Sequence, residues 1–177
     1  MTGMRRSAFL ALAAAAASVA ALANAQEPVS ALKGHNSNAP VDVTADRIEV
    51  QDRADRAMFL GNVHVRQADL TLDTERLTVA YSNAGGIQIQ RLDASGGVVV
   101  RSPSETARGN FGVYDLDRRL ITLVGNVQLS RGGSRIQGSR LVIDLTSGRA
   151  VVDGGPAGVG ESGGRVTGHF TVPQRGD

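Results

Sequence analysis

The sequence contains no cysteine and no tryptophan, and only 3% of its 177 residues are aromatic. The absence of cysteine excludes disulfide bonds and thiolate metal sites. No apolar run reaches the roughly 20 residues that a membrane-spanning helix needs. Stability must therefore come from a packed interior, and Val, Ile, Leu and Ala supply nearly all of its apolar side chains.

The first 25 residues have the pattern of an export signal. Met4–Arg6 gives a positive start, Ala8–Ala23 is an apolar run, and Ala23–Ala25 (ANA) has small residues where a signal peptidase cleaves. The alternative is a retained membrane anchor, for which this run is short. We expect cleavage before Gln26 and a mature protein that is soluble in an exported compartment. Removal of this segment leaves basic and acidic side chains equal in number, so no basic nucleic-acid-binding surface is indicated.

The remaining chain divides by composition into a leader, a domain and a tail. Residues 26–40 are polar and rich in turn-forming residues, which predicts a flexible leader. Residues 41–172 form one predicted domain, and residues 173–177 a disordered tail. Apolar residues alternate through the domain with a period of two, and helical periodicity is not convincing anywhere. The pattern predicts an all-β fold with strands at Val41–Gln51, Ala57–Gln67, Leu70–Tyr81, Ile87–Val100, Phe111–Leu116, Arg119–Leu129, Ser139–Leu145, Gly148–Gly154 and Arg165–Val172.

A short phrase recurs within this domain. Leu60–Val65 reads LGNVHV, Val124–Leu129 reads VGNVQL, and Gly96–Val98 provides a related GGV between them. Glycine allows a bend where a Cβ atom would clash, and asparagine tolerates left-handed backbone angles. The repeat predicts a stack of hairpin-like rungs, each consisting of a strand, a turn, a Gly-x-Val strand, a loop and a further strand.

Residues that could hold a metal or a nucleotide do not form a convincing site. His35, His64 and His169 are too widely spaced to suggest a metal centre. Gly158–Gly164 contains a G-x-G-x-x-G pattern, but a nucleotide loop of this kind must lead into a helix, and no helical pattern follows. We predict no metal site and no cofactor.

Two pairs of carboxylates could in principle hydrolyse a polysaccharide. Asp73 and Glu75, like Asp115 and Asp117, are two residues apart and would share one strand face. Such pairs act as acid and base when they line a cleft. Here they accompany arginines at predicted strand ends, which is typical of solvated charges. We therefore predict no catalytic residue and no enzyme, with an envelope polysaccharide hydrolase as the alternative.

The order and spacing of these segments resemble the LptA/OstA-like family of periplasmic lipopolysaccharide-transport proteins. The resemblance covers about residues 41–172 and is carried by Ala45–Val50, Phe59–Tyr81, Ile89–Val100 and Leu120–Val152. It implies a twisted, open β-jellyroll with an apolar interior that takes the acyl chains of lipid A. It also implies head-to-tail homo-oligomers and, as partners, an LptC-like inner-membrane protein and an LptD-like outer-membrane protein that pair through edge strands.

If the fold is of this kind, one face of every strand forms the wall of a lipid groove. A closed dry core would use the same residues, and the alternation does not distinguish the two. The candidate lipid-binding wall consists of Ile48, Val50, Phe59, Val63, Val65, Leu72, Leu77, Val79, Phe111, Val113, Leu123, Val127, Leu129, Leu141 and Ile143.

Two other functions remain open from the sequence. One is a structural β-stack that forms a filament or adaptor without lipid cargo. The other is a membrane-anchored, LptC-like relative, which requires that the N-terminal segment be retained. At the ends of an open sheet, Val41–Gln51 and Arg165–Val172 have unpaired backbone groups available for pairing with other chains.

Overall fold

The computed structural model describes Leu32 and residues 35–83, 85–155 and 164–171. The predicted signal peptide, residues 158–163 of the glycine-rich motif and the predicted tail lie outside the described residues. A short 3₁₀ helix occupies Asp52–Ala54. The strands are β1 (Val41–Thr44), β2 (Arg47–Gln51), β3 (Arg56–Gln67), β4 (Leu70–Ser82), β5 (Gln88–Arg101), β6 (Glu105–Asp115), β7 (Leu120–Arg131), β8 (Ser134–Asp144), β9 (Arg149–Asp153) and β10 (Thr167–His169).

All ten strands belong to one antiparallel sheet, which is not closed into a barrel. The strands β3 to β8 follow one another in chain order. β1 and β2 both pair with β3 and together form one edge. β9 and β10 both pair with β8 and form the other edge. The predicted all-β, open jellyroll is therefore confirmed, although the predicted edge strand at 41–51 is interrupted at Ala45 and Asp46.

Two strands in the second half of the chain, β6 and β8, begin earlier than the apolar pattern predicts. β6 begins at Glu105 rather than Phe111, and β8 begins at Ser134 rather than Ser139. Their first residues are mostly polar or small, so the alternation is weak. Backbone pairing with long neighbours on both sides determines the strand there, and a local pattern does not report such pairing.

The repeated glycine phrase forms β-bulges inside continuous strands. The register shifts between Leu60 and Val63 in β3, between Ser95 and Val98 in β5, and between Val124 and Val127 in β7. In each case one extra residue is inserted, and the two consecutive residues at the bulge have positive φ angles, such as 80° at Gly125 and 47° at Asn126. The predicted turn between two strands of a rung is therefore wrong, because the strand continues through the bend.

The first glycine of each bulge packs against a side chain of the preceding strand row. A Cβ atom at Gly96 would lie 2.7 Å from Cβ of Glu75, whereas a Cβ at Gly97 would meet nothing within 4 Å. Both glycines have left-handed φ angles, of 90° and 86°. The two positions therefore share the same backbone strain and differ in steric space.

We expect Gly97→Ala to lower the free energy of unfolding by about 1–2 kcal/mol, the cost of a left-handed alanine. Gly96→Ala should cost roughly 1–3 kcal/mol more, because its methyl group overlaps Glu75. Urea denaturation of both variants measures the difference. Equal losses would show that the close approach to Glu75 does not constrain the bend.

The bulges divide the sheet into two halves. We call the part that contains β1, β10 and Gln67 the leader half, and the part that contains β2 and β9 the far half. Interior side chains alternate regularly within each half. The alternation changes phase at the bulges, where Glu75 and Arg76 of β4 are consecutive exposed residues. The apolar faces of the two halves meet in the interior, where Leu70 and Val100 of the leader half line one cavity together with Ile121 and Leu123 of the far half.

Candidate functional site

Two unbroken rows of small or apolar side chains cross the interior face of the sheet from one edge to the other. They arise because antiparallel register places the inward residues of successive strands opposite one another. In the far half one row reads Ile48, Phe59, Leu77, Ala94, Gly112, Leu123, Leu141 and Val152. In the leader half another reads Val43, Val65, Leu72, Val100, Ala107, Leu129, Ile136 and Gly168.

Most of the predicted wall residues lie on this interior face. Phe59 and Leu129 are partly buried and pack against the core. Ile48 and Val50 share the face but lie on the edge strand β2, where they are 54% and 59% exposed. The predicted wall residues that are fully buried in the interior are Val63, Val65, Leu72, Leu77, Val79, Leu123, Val127, Leu141 and Ile143.

Phe111 and Val113 lie on the opposite, outer face of the sheet. Phe111 is 57% exposed and pairs with Val124, which is also exposed. The inward residues of this part of β6 are Gly112 and Tyr114. A Cβ atom at Gly112 would lie 3.0 Å from the Leu123 side chain, so the missing side chain makes room for the core.

Two small cavities lie between the two halves in the part of the chain that the structure describes. One interior cavity, lined by Gln67, Leu72, Tyr114 and other residues, has a volume of about 20 Å³. A second, between Leu32 and Ile143, has a volume of about 10 Å³. Each is comparable to the space of a single water molecule. An apolar molecule larger than water must therefore displace side chains or separate the halves in order to enter either of these two cavities.

A buried amide connects the two halves and the leader. Gln67 is only 3% exposed, and its amide nitrogen donates to the carbonyl oxygens of Ser37 and Ala39, each at 3.0 Å. These two bonds fix the orientation of the amide. Its oxygen then accepts a hydrogen bond of 3.0 Å from the Tyr114 hydroxyl of the far half. Burial raises the pKa of Tyr114, which keeps this hydroxyl protonated.

His35 completes this polar cluster. Its side chain is fully buried, with one ring nitrogen 3.1 Å from the Gln67 amide oxygen and the other 3.0 Å from a carboxylate oxygen of Asp69. Both neighbours offer acceptor oxygens, so the ring connects Gln67 to Asp69 through its two nitrogens. The hydrogen bond from His35 lowers the pKa of Asp69. We did not predict this cluster, because a single histidine in a polar segment gives no local signal of burial.

One residue of each carboxylate pair considered for catalysis, Asp73 and Asp115, has structural partners. On the outer face, Asp73 accepts hydrogen bonds from His64 and Arg101. Burial raises the pKa of Asp73, but these bonds outweigh it and lower the pKa overall. Asp115 accepts a hydrogen bond of 2.9 Å from the backbone of Arg118 in a turn. Among the residues that the structure describes, no cluster of three or more His, Asp or Glu side chains is suited to a metal ion.

The family is decided by a match over the strand-rich region. Residues 42–149 match the family model described as "LptA/(LptD N-terminal domain) LPS transport protein". The chain belongs to this family. The predicted resemblance is thereby confirmed, and membership in a family of transport proteins also confirms the prediction that the protein is not an enzyme.

Two relatives agree with this assignment. An uncharacterized protein of Rhizobium meliloti (strain 1021) is 33% identical over 159 residues, which are 84% of this chain and 86% of that protein. The crystal structure of LptH from Pseudomonas aeruginosa, the LptA homologous periplasmic component of a lipopolysaccharide transport device, matches with a TM-score of 0.68. That match covers 78% of this chain and 99% of LptH at 16% identity, so it establishes the jellyroll fold. Within the described ranges, no helix is long and apolar enough to cross a membrane.

Proposed function

We propose that this protein is a periplasmic carrier that shields the acyl chains of lipopolysaccharide between the two halves of its sheet during transport to the outer membrane. The supporting observation is the set of apolar rows that run from one sheet edge to the other without a charged residue, as in the row from Ile48 to Val152. Each CH₂ group exposed to water costs about 0.8 kcal/mol, so several acyl chains cost on the order of tens of kcal/mol. A continuous apolar surface removes this cost without specific bonds.

We further propose that copies of the chain stack head to tail through their edges. The sheet has eight strand rows when β1 with β2, and β9 with β10, are each taken as one interrupted row. Because the number of rows is even, the two edges run in opposite directions. A second copy in the same orientation would therefore add its β1–β2 edge antiparallel to β9–β10.

The bulge pattern favours the same stacking. Side chains of alternate rows pack on the glycines of the next row, and the series begins with Asp46 on Gly61 at the first edge. It ends with Ser139 on Gly155 at the second edge. Rows that supply a packing side chain therefore alternate with rows that supply a glycine. The row after Gly155 should supply a side chain, and the β1–β2 row of a second copy does so with Asp46. The same edges would serve for an LptC-like inner-membrane partner and an LptD-like outer-membrane partner.

Two phenylalanines on opposite faces of the sheet provide a matched test of the groove. Phe59 lies on the interior face and Phe111 on the outer face. We expect p-azidophenylalanine at position 59 to form lipopolysaccharide adducts on illumination of cells, because acyl chains pass along that face. The same substitution at position 111 should give few adducts.

Adducts at both positions in equal amounts would indicate contact with lipid outside the groove. Their absence at position 59 and at Leu129, which is also partly buried on the interior face, would contradict the carrier function. Head-to-tail oligomers without bound lipid in native mass spectrometry would instead support the structural filament.

A further inference from the structure

Leu32 is a part of the leader that lies inside the apolar interior. It is only 3% exposed and belongs to the same buried cluster as the wall residues. It lines a cavity that is mostly apolar, with Val100, Ala107 and Leu129 of the leader half and Ile143 of the far half, and that also includes Ser102 and Glu105 at the end of the leader half. Its side chain therefore occupies space between the two apolar faces.

The leader is held in this position by polar bonds. The His35 amide donates to the Leu32 carbonyl oxygen at 3.1 Å. The His35 ring and the carbonyl groups of Ser37 and Ala39 are bound to Gln67. None of these bonds belongs to a strand ladder, so the leader can detach from Gln67 without breaking any strand pairing.

We propose that Leu32 is a built-in occupant of the lipid groove that an entering acyl chain must displace. This inference rests on the carrier function proposed above. The remaining cavity beside Leu32 is about 10 Å³, so Leu32 and an acyl chain cannot share the space. The leucine keeps the apolar faces covered when no lipid is present, and its removal makes the end of the groove available.

Because the chain contains no cysteine, a single thiol reports directly on this displacement. The test uses the mature-length protein with Leu32→Cys, and Asn38→Cys, an exposed position in the same leader, as the control. The rate of reaction with a maleimide is measured with and without Kdo2-lipid A. We expect the rate at position 32 to increase about tenfold at saturating lipid, and the rate at position 38 to stay unchanged.

The affinity of a second pair of variants provides an independent readout. Leu32→Ala should bind Kdo2-lipid A roughly tenfold more tightly than the wild type, because less of the protein is held in the closed form. Asn38→Ala should bind as the wild type does. Circular dichroism confirms that both variants retain the sheet.

The outcomes separate this inference from the carrier function. If the lipid binds but the thiol at position 32 stays protected and Leu32→Ala binds no more tightly, the displacement of Leu32 is refuted and the carrier function stands. If neither the wild type nor Leu32→Ala binds Kdo2-lipid A, the carrier function is refuted and the displacement with it.

Discussion

Leu123→Ala is expected to lower the free energy of unfolding by about 3–5 kcal/mol and the melting temperature by roughly 10 °C or more. Leu123 is fully buried at the centre of an interior row, between Gly112 and Leu141. Its side chain fills the space left by two glycines, because a Cβ atom at Gly112 or Gly109 would lie 3.0 or 3.2 Å from it. Neither glycine has a side chain that could fill the cavity that the truncation leaves.

Val124→Ala is the matched control for this prediction. Val124 is the next residue along β7 but lies on the outer face, where it is 44% exposed. Its truncation should cost about 0.5 kcal/mol or less, as is usual for surface positions. Thermal and urea unfolding of both variants provide the measurement. A loss of only about 1 kcal/mol for Leu123→Ala would show that this position faces an open, hydrated groove instead of a dry core.

The distinction between a dry core and an open groove matters because a carrier of this kind needs both a dry core and a surface that lipid can reach. Leu77, Leu123 and Leu141 form one row and are each fully buried, so they hold the sheet together. Phe59 and Leu129 are only partly buried. We infer that acyl chains first contact such partly covered side chains, and that the fully buried leucines preserve the fold while the halves separate.

The sequence was sufficient to predict the fold, because alternation with a period of two reports which side chains share a face. The alternation predicted the interior positions of Val63 and Val127, which are the first paired residues after the bulges in β3 and β7. It failed at Phe111 and Val113, since the interior face there is marked by a glycine and a tyrosine. Hydrophobicity alone favours Phe111 and Val113 as interior residues. Packing against Leu123, however, requires a glycine at position 112.

Two further features depend on contacts between distant segments and could not be predicted locally. The Gly125–Asn126 phrase indicates a bend, but only the pairing of β7 with β6 and β8 on both sides of it shows that the strand continues. Leu32 is a single leucine in a polar leader. Its burial depends on Gln67, a polar residue at a position where alternation alone would favour an apolar one.

Ile48→Asp is expected to weaken head-to-tail assembly at least about 30-fold, which corresponds to roughly 2 kcal/mol at an interface centre. Continuing the interior rows across the junction places Val152 of one copy opposite Ile48 of the next, and Ala150 opposite Val50. A carboxylate at position 48 would be desolvated there without a partner. The isolated chain should lose little stability, because Ile48 is 54% exposed in it.

Sedimentation velocity over a range of concentrations measures the effect, with Glu49→Gln on the outer face of the same strand as the control. The cysteine-free chain also permits a direct test of register. Ile48→Cys with Val152→Cys should form an intermolecular disulfide in the oligomer, whereas Glu49→Cys with Val152→Cys should not, because those side chains would lie on opposite faces. Unchanged assembly of Ile48→Asp, or equal crosslinking of both pairs, would contradict the proposed junction and leave the apolar rows as the surface of a carrier that acts singly.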